Sequence, residues 1–170
     1  FQEQLKKTAK KYGMRFEDLL ALRDNLDTVF RDHPSMWVRY ELGGLGPERV
    51  EDPILDSWQT RVLDSRAPIQ LLNCHRQSGK STVASALALH TAIYYPGSLS
   101  LVTSPTLRQS VELFRKVQNL LRKLPRAPQM VENNMTSCKF PNDSRIVSMP
   151  GDEKTARGYS SPQLIIEDEA

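Results

Sequence analysis

The sequence predicts an α/β protein in which a mostly parallel sheet is flanked by helices, with a β-hairpin and an N-terminal helical segment. Short apolar runs alternate with amphipathic helical stretches, and Pro, Gly or Ser residues lie between them. The order strand, helix, strand, helix is typical of parallel strands joined by crossover helices. The 170 residues are 39% hydrophobic and 25% charged, a composition that is ordinary for a globular domain with a buried core.

Residues 1–51 are interpreted as a helical N-terminal segment followed by a linker. Residues 2–32 carry apolar side chains near helical spacing, with a break near Gly13. We expect an amphipathic helix packed on the domain, and a helix that docks a partner is the alternative. Pro and Gly turn signals over 33–57 predict a linker that leads into a short helix over 54–63.

Residues 52–170 are interpreted as one domain of alternating strands and helices. Pro96-Gly97 and Pro125 end the two long helices. Ser104 is the expected N-cap of the second long helix, with Pro105 at its first position. In chain order, the pattern predicts a strand over 69–74, a helix over 79–95, a strand over 99–103, a helix from about 106 to 124, a hairpin of 136–140 and 145–149, a polar loop over 152–162 and a strand over 164–166.

The segment 73–82 reads Asn-Cys-His-Arg-Gln-Ser-Gly-Lys-Ser-Thr and lies between a predicted strand and a predicted helix. This is the context of a phosphate-binding loop, because free backbone N–H groups and the helix dipole attract an anion there. Gly79 permits close approach of the backbone, Lys80 can reach the β- and γ-phosphates, and Ser81 can place its hydroxyl on Mg²⁺. The usual pattern has glycine where Cys74 stands, so an ordinary strand-to-helix turn is the alternative.

Two carboxylates, Asp168 and Glu169, follow the last predicted strand. Ligands of an open α/β sheet bind beyond the carboxyl ends of its strands, so we expect this pair to lie near the phosphate loop. Asp168 can hold Mg²⁺, and Glu169 can activate the attacking water as general base. A solvated acidic turn is the alternative. Together with the Gly-Lys-Ser segment, the pair predicts hydrolysis of ATP with Mg²⁺ as cofactor.

Three more residues fit a nucleotide site. The Trp58 ring can stack on a purine, and the Gln59 amide can pair with the adenine edge, although a tryptophan is more often part of a core. Arg76 can reach the γ-phosphate or contact a neighbouring subunit, and bracing the loop is its alternative role. The predicted nucleotide-binding residues are Trp58, Gln59, Gln77, Ser78, Gly79, Lys80, Ser81 and Thr82, and the predicted catalytic residues are Arg76, Lys80 and Glu169.

Several classes of function are disfavoured. Cys74 and Cys138 suit a reduced compartment and predict neither a disulfide framework nor a zinc site. The histidines, at positions 33, 75 and 90, lack the spacing of metal ligands. No window of 18 consecutive apolar residues exists, so no membrane-spanning helix is expected.

The second long helix and its end are strongly basic. The net charge of +3 is compatible with nucleic acid as a partner without proving it. We hypothesise that part of this surface meets DNA phosphates, and a solvated helix face is the alternative. The cations are Arg108, Arg115, Lys116, Arg122, Lys123 and Arg126, against the single acid Glu112.

These motifs resemble those of bacteriophage terminase large subunits, the motors that package viral DNA. The phosphate loop of that family commonly lacks the first glycine and has Arg-Gln before Gly-Lys, as here. The resemblance covers about residues 52–170. Besides the loop, its motifs are the adenine-binding pair at 58–59, the strand and helix start at 102–110, the hairpin at 140–149, Ala-Arg-Gly at 156–158 and the Walker B segment at 164–170.

The resemblance implies a P-loop ATPase domain that drives double-stranded DNA into a procapsid. It also implies a metal-dependent nuclease domain outside this sequence, a terminase small subunit and the portal protein as partners, and a homo-oligomeric ring during packaging. The implied location is the cytoplasm of the infected host cell, transiently at the portal. In that family a strand inserts between the Walker A and Walker B strands, so we expect residues 1–170 to be the opening part of a longer chain.

Two other interpretations stay open. A superfamily 2 helicase-like, DNA-dependent ATPase also has Asp-Glu-Ala at Walker B, but Arg76-Gln77 before Gly79-Lys80 favours the terminase. The second interpretation is a nucleotide- or DNA-binding module that does not hydrolyse ATP by itself. ATPase activity stimulated by DNA would separate the two enzymes from the module.

Overall fold

A five-stranded sheet organises the computed structural model of the chain. The structure describes residues 15, 25–46, 54–151 and 158–168. Its helices are α1 (Pro34–Tyr40), α2 (Ser57–Leu63), α3 (Lys80–Tyr94) and α4 (Leu107–Lys123), and residues 25–32 are also helical. Its strands are β1 (Leu99–Ser104), β2 (Glu132–Asn133), β3 (Ser137–Lys139), β4 (Arg145–Pro150) and β5 (Leu164–Glu167).

The strand order is β2-β3-β4-β1-β5, and the sheet is mixed. Strand β1 is parallel to both β4 and β5, whereas β3 is antiparallel to β2 and to β4. The α/β class is confirmed and the β3–β4 hairpin is present, but the prediction of a mostly parallel sheet is wrong. The hairpin and the two-residue strand β2 supply the antiparallel half, and β2 is too short and too exposed to show an alternating pattern in the sequence.

The two faces of the sheet are covered differently. Val102 and Ile146 belong to the main core, together with Leu89 of α3 and Phe114 of α4. Side chains alternate along a strand, so the neighbouring positions point to the other face. There Leu99, Leu101, Val147 and Met149 form a smaller cluster against Tyr159. Both long helices therefore pack on one face of the sheet.

The N-cap of helix α4 lies two residues later than the sequence predicts. The Thr106 hydroxyl accepts a hydrogen bond from the Gln109 N–H at 3.3 Å and is the N-cap. Ser104 was expected to be the cap, but it remains in β1, paired in register with Pro150, and its hydroxyl lies 2.8 Å from that of Ser110. The cap prediction is therefore wrong, because pairing of β1 with β4 extends through Ser104.

Helix α1 lies where the sequence predicts a linker. Pro34 stands at the start of the helix, where its missing N–H costs nothing, so a residue interpreted as a breaker begins the element. Trp37 and Val38 are buried in the main core. The Trp37 ring packs edge-on against the His90 ring of α3 with 5.3 Å between centroids.

The predicted strand before the phosphate loop does not form. Residues 69–73 pair with none of the strands that the structure describes, and the side chains of Ile69 and Leu71 are 87% and 93% exposed. A strand exists only through pairing, and β5 pairs with β1 alone among the described strands. The residues at 69–73 therefore neither neighbour β5 nor join the sheet, and the strand expected between them stays a prediction.

Some predictions fall outside the described residues. They are the helical pattern before residue 25, the turn residues 47–53, most of the polar loop at 152–157, and Glu169. Within the part of the chain that the structure describes, no helix is both long and apolar enough to cross a membrane.

His90 joins helix α3 to the helical residues 25–32. Its Nε2 lies 2.8 Å from the carbonyl oxygen of Phe30, and its ring is buried beside Trp37 and Tyr94. Burial disfavours the charged imidazolium and lowers the pKa of His90 to about 4. The neutral ring is therefore the form that holds the N-terminal segment on α3.

His90 makes stability depend on pH between 6.5 and 4. The unfolded chain takes up a proton at the ordinary pKa of 6.5, whereas the folded chain resists it until about pH 4. The contribution is therefore complete above pH 6.5 and is lost as the pH falls towards 4. We expect a loss of ~2 kcal/mol in the free energy of unfolding between pH 7 and pH 5 from this group.

Denaturant unfolding at both pH values measures this loss. His90→Gln should remove most of the difference between the two pH values, while His75→Gln, at an exposed position, should leave it unchanged. Equal pH dependence in the His90 variant and the parent chain would contradict the assignment.

Candidate functional site

Helix α3 sets the position of the predicted phosphate loop. Its last turn is held at the edge where β1 begins, because the Asn142 side chain and the Ser144 hydroxyl donate to the Ala92 carbonyl at 2.8 and 2.6 Å. From there α3 extends ~21 Å, about the length of a six-residue strand. The loop 74–79 lies at the other end of this helix, directly before its first turn.

The backbone of the loop bends through two left-handed residues. Gln77 has φ 62° and Gly79 has φ 90°. A left-handed conformation costs a non-glycine residue ~1–2 kcal/mol, so Gln77 stores strain, whereas Gly79 adopts it freely. Left-handed residues in such a turn arrange successive N–H groups around one concavity, which suits an anion.

Free backbone donors open helix α3. The Gly79 carbonyl accepts from the N–H groups of Thr82 and Val83, each at 3.0 Å. The N–H groups of Lys80 and Ser81 have no carbonyl partner among the described residues. The Ser78 hydroxyl is also buried in the same turn without a hydrogen-bond partner there. The start of α3 thus presents donors without acceptors, at the positive end of a 15-residue helix.

The Lys80 ammonium folds back across the loop. Its Nζ donates to the carbonyl oxygens of Cys74 and His75, both at 2.9 Å. These two bonds hold a positive charge inside the turn and tie the beginning of the loop to the helix. An ammonium has three donors, so it can exchange carbonyl partners for phosphate oxygens without leaving the loop.

Gln59 lies against the phosphate loop. Its Nε2 is 3.5 Å from the point that a Cβ on Gly79 would occupy. Its Oε1 accepts from the Asp56 N–H at 3.0 Å, which orients the amide so that Nε2 faces the loop. Trp58, one residue earlier in α2, is half-buried and packs on the main core. Gln59 thus contacts the loop, whereas Trp58 is partly buried against the core and partly exposed to solvent.

Asp168 lies at the carboxyl end of β5. Its N–H donates to the Thr103 carbonyl at 2.9 Å, so it sits directly beside the end of β1. Glu169, the predicted general base, is outside the described residues. Arg76 is exposed within the loop, with no ion pair among the described residues. Asp168 therefore lies at the edge where β1 and β5 end, and Arg76 lies in the loop before α3.

No group of three or more His, Cys, Asp or Glu side chains gathers as a metal site in the described ranges. Mg²⁺ does not require such a cage in proteins. It is usually bound by one or two carboxylates together with phosphate oxygens and water. Ser81 and Asp168 therefore remain the candidate ligands for this ion.

The sequence interpretation missed the partners of Lys80. Both are backbone carbonyls, of Cys74 and His75, and the pattern of side chains in a sequence does not predict contacts with backbone atoms. Cys74 was noted only as a departure at the place of the first glycine. Its contribution to the loop is a carbonyl group that any residue could supply.

Comparison of the chain with models of known protein families finds no match, and comparison with curated proteins finds none either. The function is therefore inferred from the chemistry of the site. A cationic, donor-rich turn at the start of a long helix can bind the phosphates of a nucleotide, and Mg²⁺ is usually bound by such phosphates together with one or two carboxylates.

Proposed function

We propose that the chain is the ATP-hydrolysing part of a DNA-packaging motor of the terminase large subunit type. The observation that carries the proposal is the Lys80 ammonium, which bonds the Cys74 and His75 carbonyls across a turn that opens α3. In a phosphate-binding loop, an ammonium held in this way is already in place when the nucleotide arrives.

Each residue at the site has a role in the proposed reaction. The N–H groups of Lys80 and Ser81 bind phosphate oxygens, and the Lys80 ammonium neutralises charge on the β- and γ-phosphates. The Ser81 hydroxyl and the Asp168 carboxylate would hold Mg²⁺, which supplies further neutralisation of phosphate charge. Glu169 takes the proton from the attacking water. Arg76 is free to approach the γ-phosphate, from this chain or from a neighbouring one.

Recognition of the base is assigned to α2. Gln59 Oε1 accepts from the Asp56 N–H, so Nε2 is the group available to donate hydrogen bonds to a ligand's acceptor atoms. A donor in that position suits a ring nitrogen of adenine. Trp58 can add stacking from the same helix.

The packaging role rests on the resemblance of the motifs over residues 52–170. Double-stranded DNA is then the substrate that is moved, and the small subunit and portal are the partners. A nucleotide-binding module that does not hydrolyse ATP would have the same loop. Phosphate release in the presence of DNA distinguishes the two, because only the ATPase produces it.

Lys80→Ala should abolish binding of ATP. The variant removes the ammonium that spans the loop, and with it both the phosphate contact and the bonds to Cys74 and His75. Titration of a fluorescent ATP analogue with Mg²⁺ measures the loss. Lys139→Ala, whose lysine pairs with Asp143 in the hairpin turn, is the control and should bind as the parent chain does. Undiminished affinity in the Lys80 variant would overturn the site.

Glu169→Gln should leave ATP binding intact and slow hydrolysis ~10²–10⁴-fold, because a general base is lost without a phosphate contact. Phosphate release with and without duplex DNA is the measurement, alongside the same binding titration. Loss of binding with normal turnover per bound nucleotide would assign Glu169 a different role.

A further inference from the structure

A basic groove runs between α4 and the loop 42–46, beside the first turn of α3. Its volume is about 480 Å³. Three of the side chains that line it are cations and none is acidic. The lining residues that matter here are Gly46, Thr82, Lys116, Asn119, Arg122 and Lys123.

Lys123 builds the wall of this basic groove. Its Nζ donates to the carbonyl oxygens of Gly44 and Gly46 at 2.6 and 2.9 Å. These bonds close one end of the groove by tying the loop 42–46 to the end of α4. Lys123, one of the cations of the hypothesised DNA surface, therefore anchors the loop 42–46, and its role as a DNA contact stays a hypothesis.

The charges of Lys116 and Arg122 are available to a ligand. The Arg122 guanidinium donates to the neutral amide oxygen of Asn119 at 3.0 Å, and neither cation has a carboxylate partner among the described residues. Arg115, elsewhere on α4, differs because it pairs with Glu112 at 2.6 Å. The groove thus concentrates positive charge that the described part of the protein does not neutralise.

The spacing of the two cations suits a phosphate backbone. Six residues separate Lys116 from Arg122, which is ~9 Å along a helix axis. One strand of duplex DNA carries a phosphate every ~3.4 Å of the duplex axis, so two cations this far apart can contact different phosphates of one backbone. A single small anion would engage one of the cations, whereas a polyanion engages both.

We propose that this basic groove binds the phosphate backbone of double-stranded DNA through Lys116 and Arg122. The choice of duplex DNA over other polyanions rests on the proposed function. The backbone then passes beside Thr82, two residues after Lys80. DNA and the nucleotide phosphates therefore meet the same turn of α3 from different sides.

The test measures binding of a fluorescein-labelled 30-base-pair duplex of arbitrary sequence by anisotropy, over a series of salt concentrations. The double variant Lys116→Glu/Arg122→Glu should weaken binding on the order of tenfold or more and reduce the slope of log affinity against log salt by ~2. The neutral pair Lys116→Gln/Arg122→Gln should reduce the slope in the same direction. Arg108→Glu is the matched control, because it changes an exposed cation of α4 outside the groove.

An unchanged slope in both double variants, or an equal loss in Arg108→Glu, would overturn the proposal. Competition by polyglutamate as effective as competition by unlabelled duplex would also overturn it, in favour of an acidic protein segment. Binding of the fluorescent ATP analogue should be the same in the groove variants and the parent chain. A parent chain that binds DNA through the groove but binds no ATP would reject the proposed function and leave the groove assignment standing.

Discussion

The bonds from the Lys80 ammonium to the carbonyls of Cys74 and His75 are the constraint on which the site depends. The preceding residues 69–73 pair with none of the described strands, and these bonds fold the start of the loop onto the first residue of α3. They compensate for two left-handed residues, one of which, Gln77, is strained. The same ammonium supplies the charge that a phosphate would meet. The Lys80 ammonium therefore both closes the loop and provides the positive charge that would attract a phosphate.

The rest of the fold fixes where this closed loop sits. The turn of the hairpin holds the far end of α3 through Asn142 and Ser144, and the shared core holds its side against β1 and β4. Strand β5 then carries Asp168 to the end of β1 through the bond to Thr103. The helical residues 25–32 are held on α3 through neutral His90, and Gly46 lines the basic groove.

Local patterns were enough for the elements that carry their own signals. Helix α3, helix α4, β1, the hairpin and β5 follow from helical or alternating periodicity with turn residues at their ends. The sequence pattern failed where the presence of a neighbouring strand decides whether a segment becomes a strand. Residues 69–73 have the composition of a strand but no neighbour to pair with, and β2 is a strand only because β3 lies beside it. Helix α1 was missed because Pro34 was interpreted as a breaker and not as a first helical residue.

At the site, the sequence indicated Lys80 and Gln59, but their contacts with backbone carbonyls and with Gly79 required the three-dimensional structure.

Amide hydrogen exchange with and without an ATP analogue and Mg²⁺ tests the central claim most directly. If the turn before α3 is the phosphate site, the amides of residues 77–81 should exchange much more slowly in the bound state, because their free N–H groups then donate to phosphate oxygens. The hairpin at 137–150 should be unchanged. Saturable binding of the analogue with protection confined to another part of the chain would contradict the account.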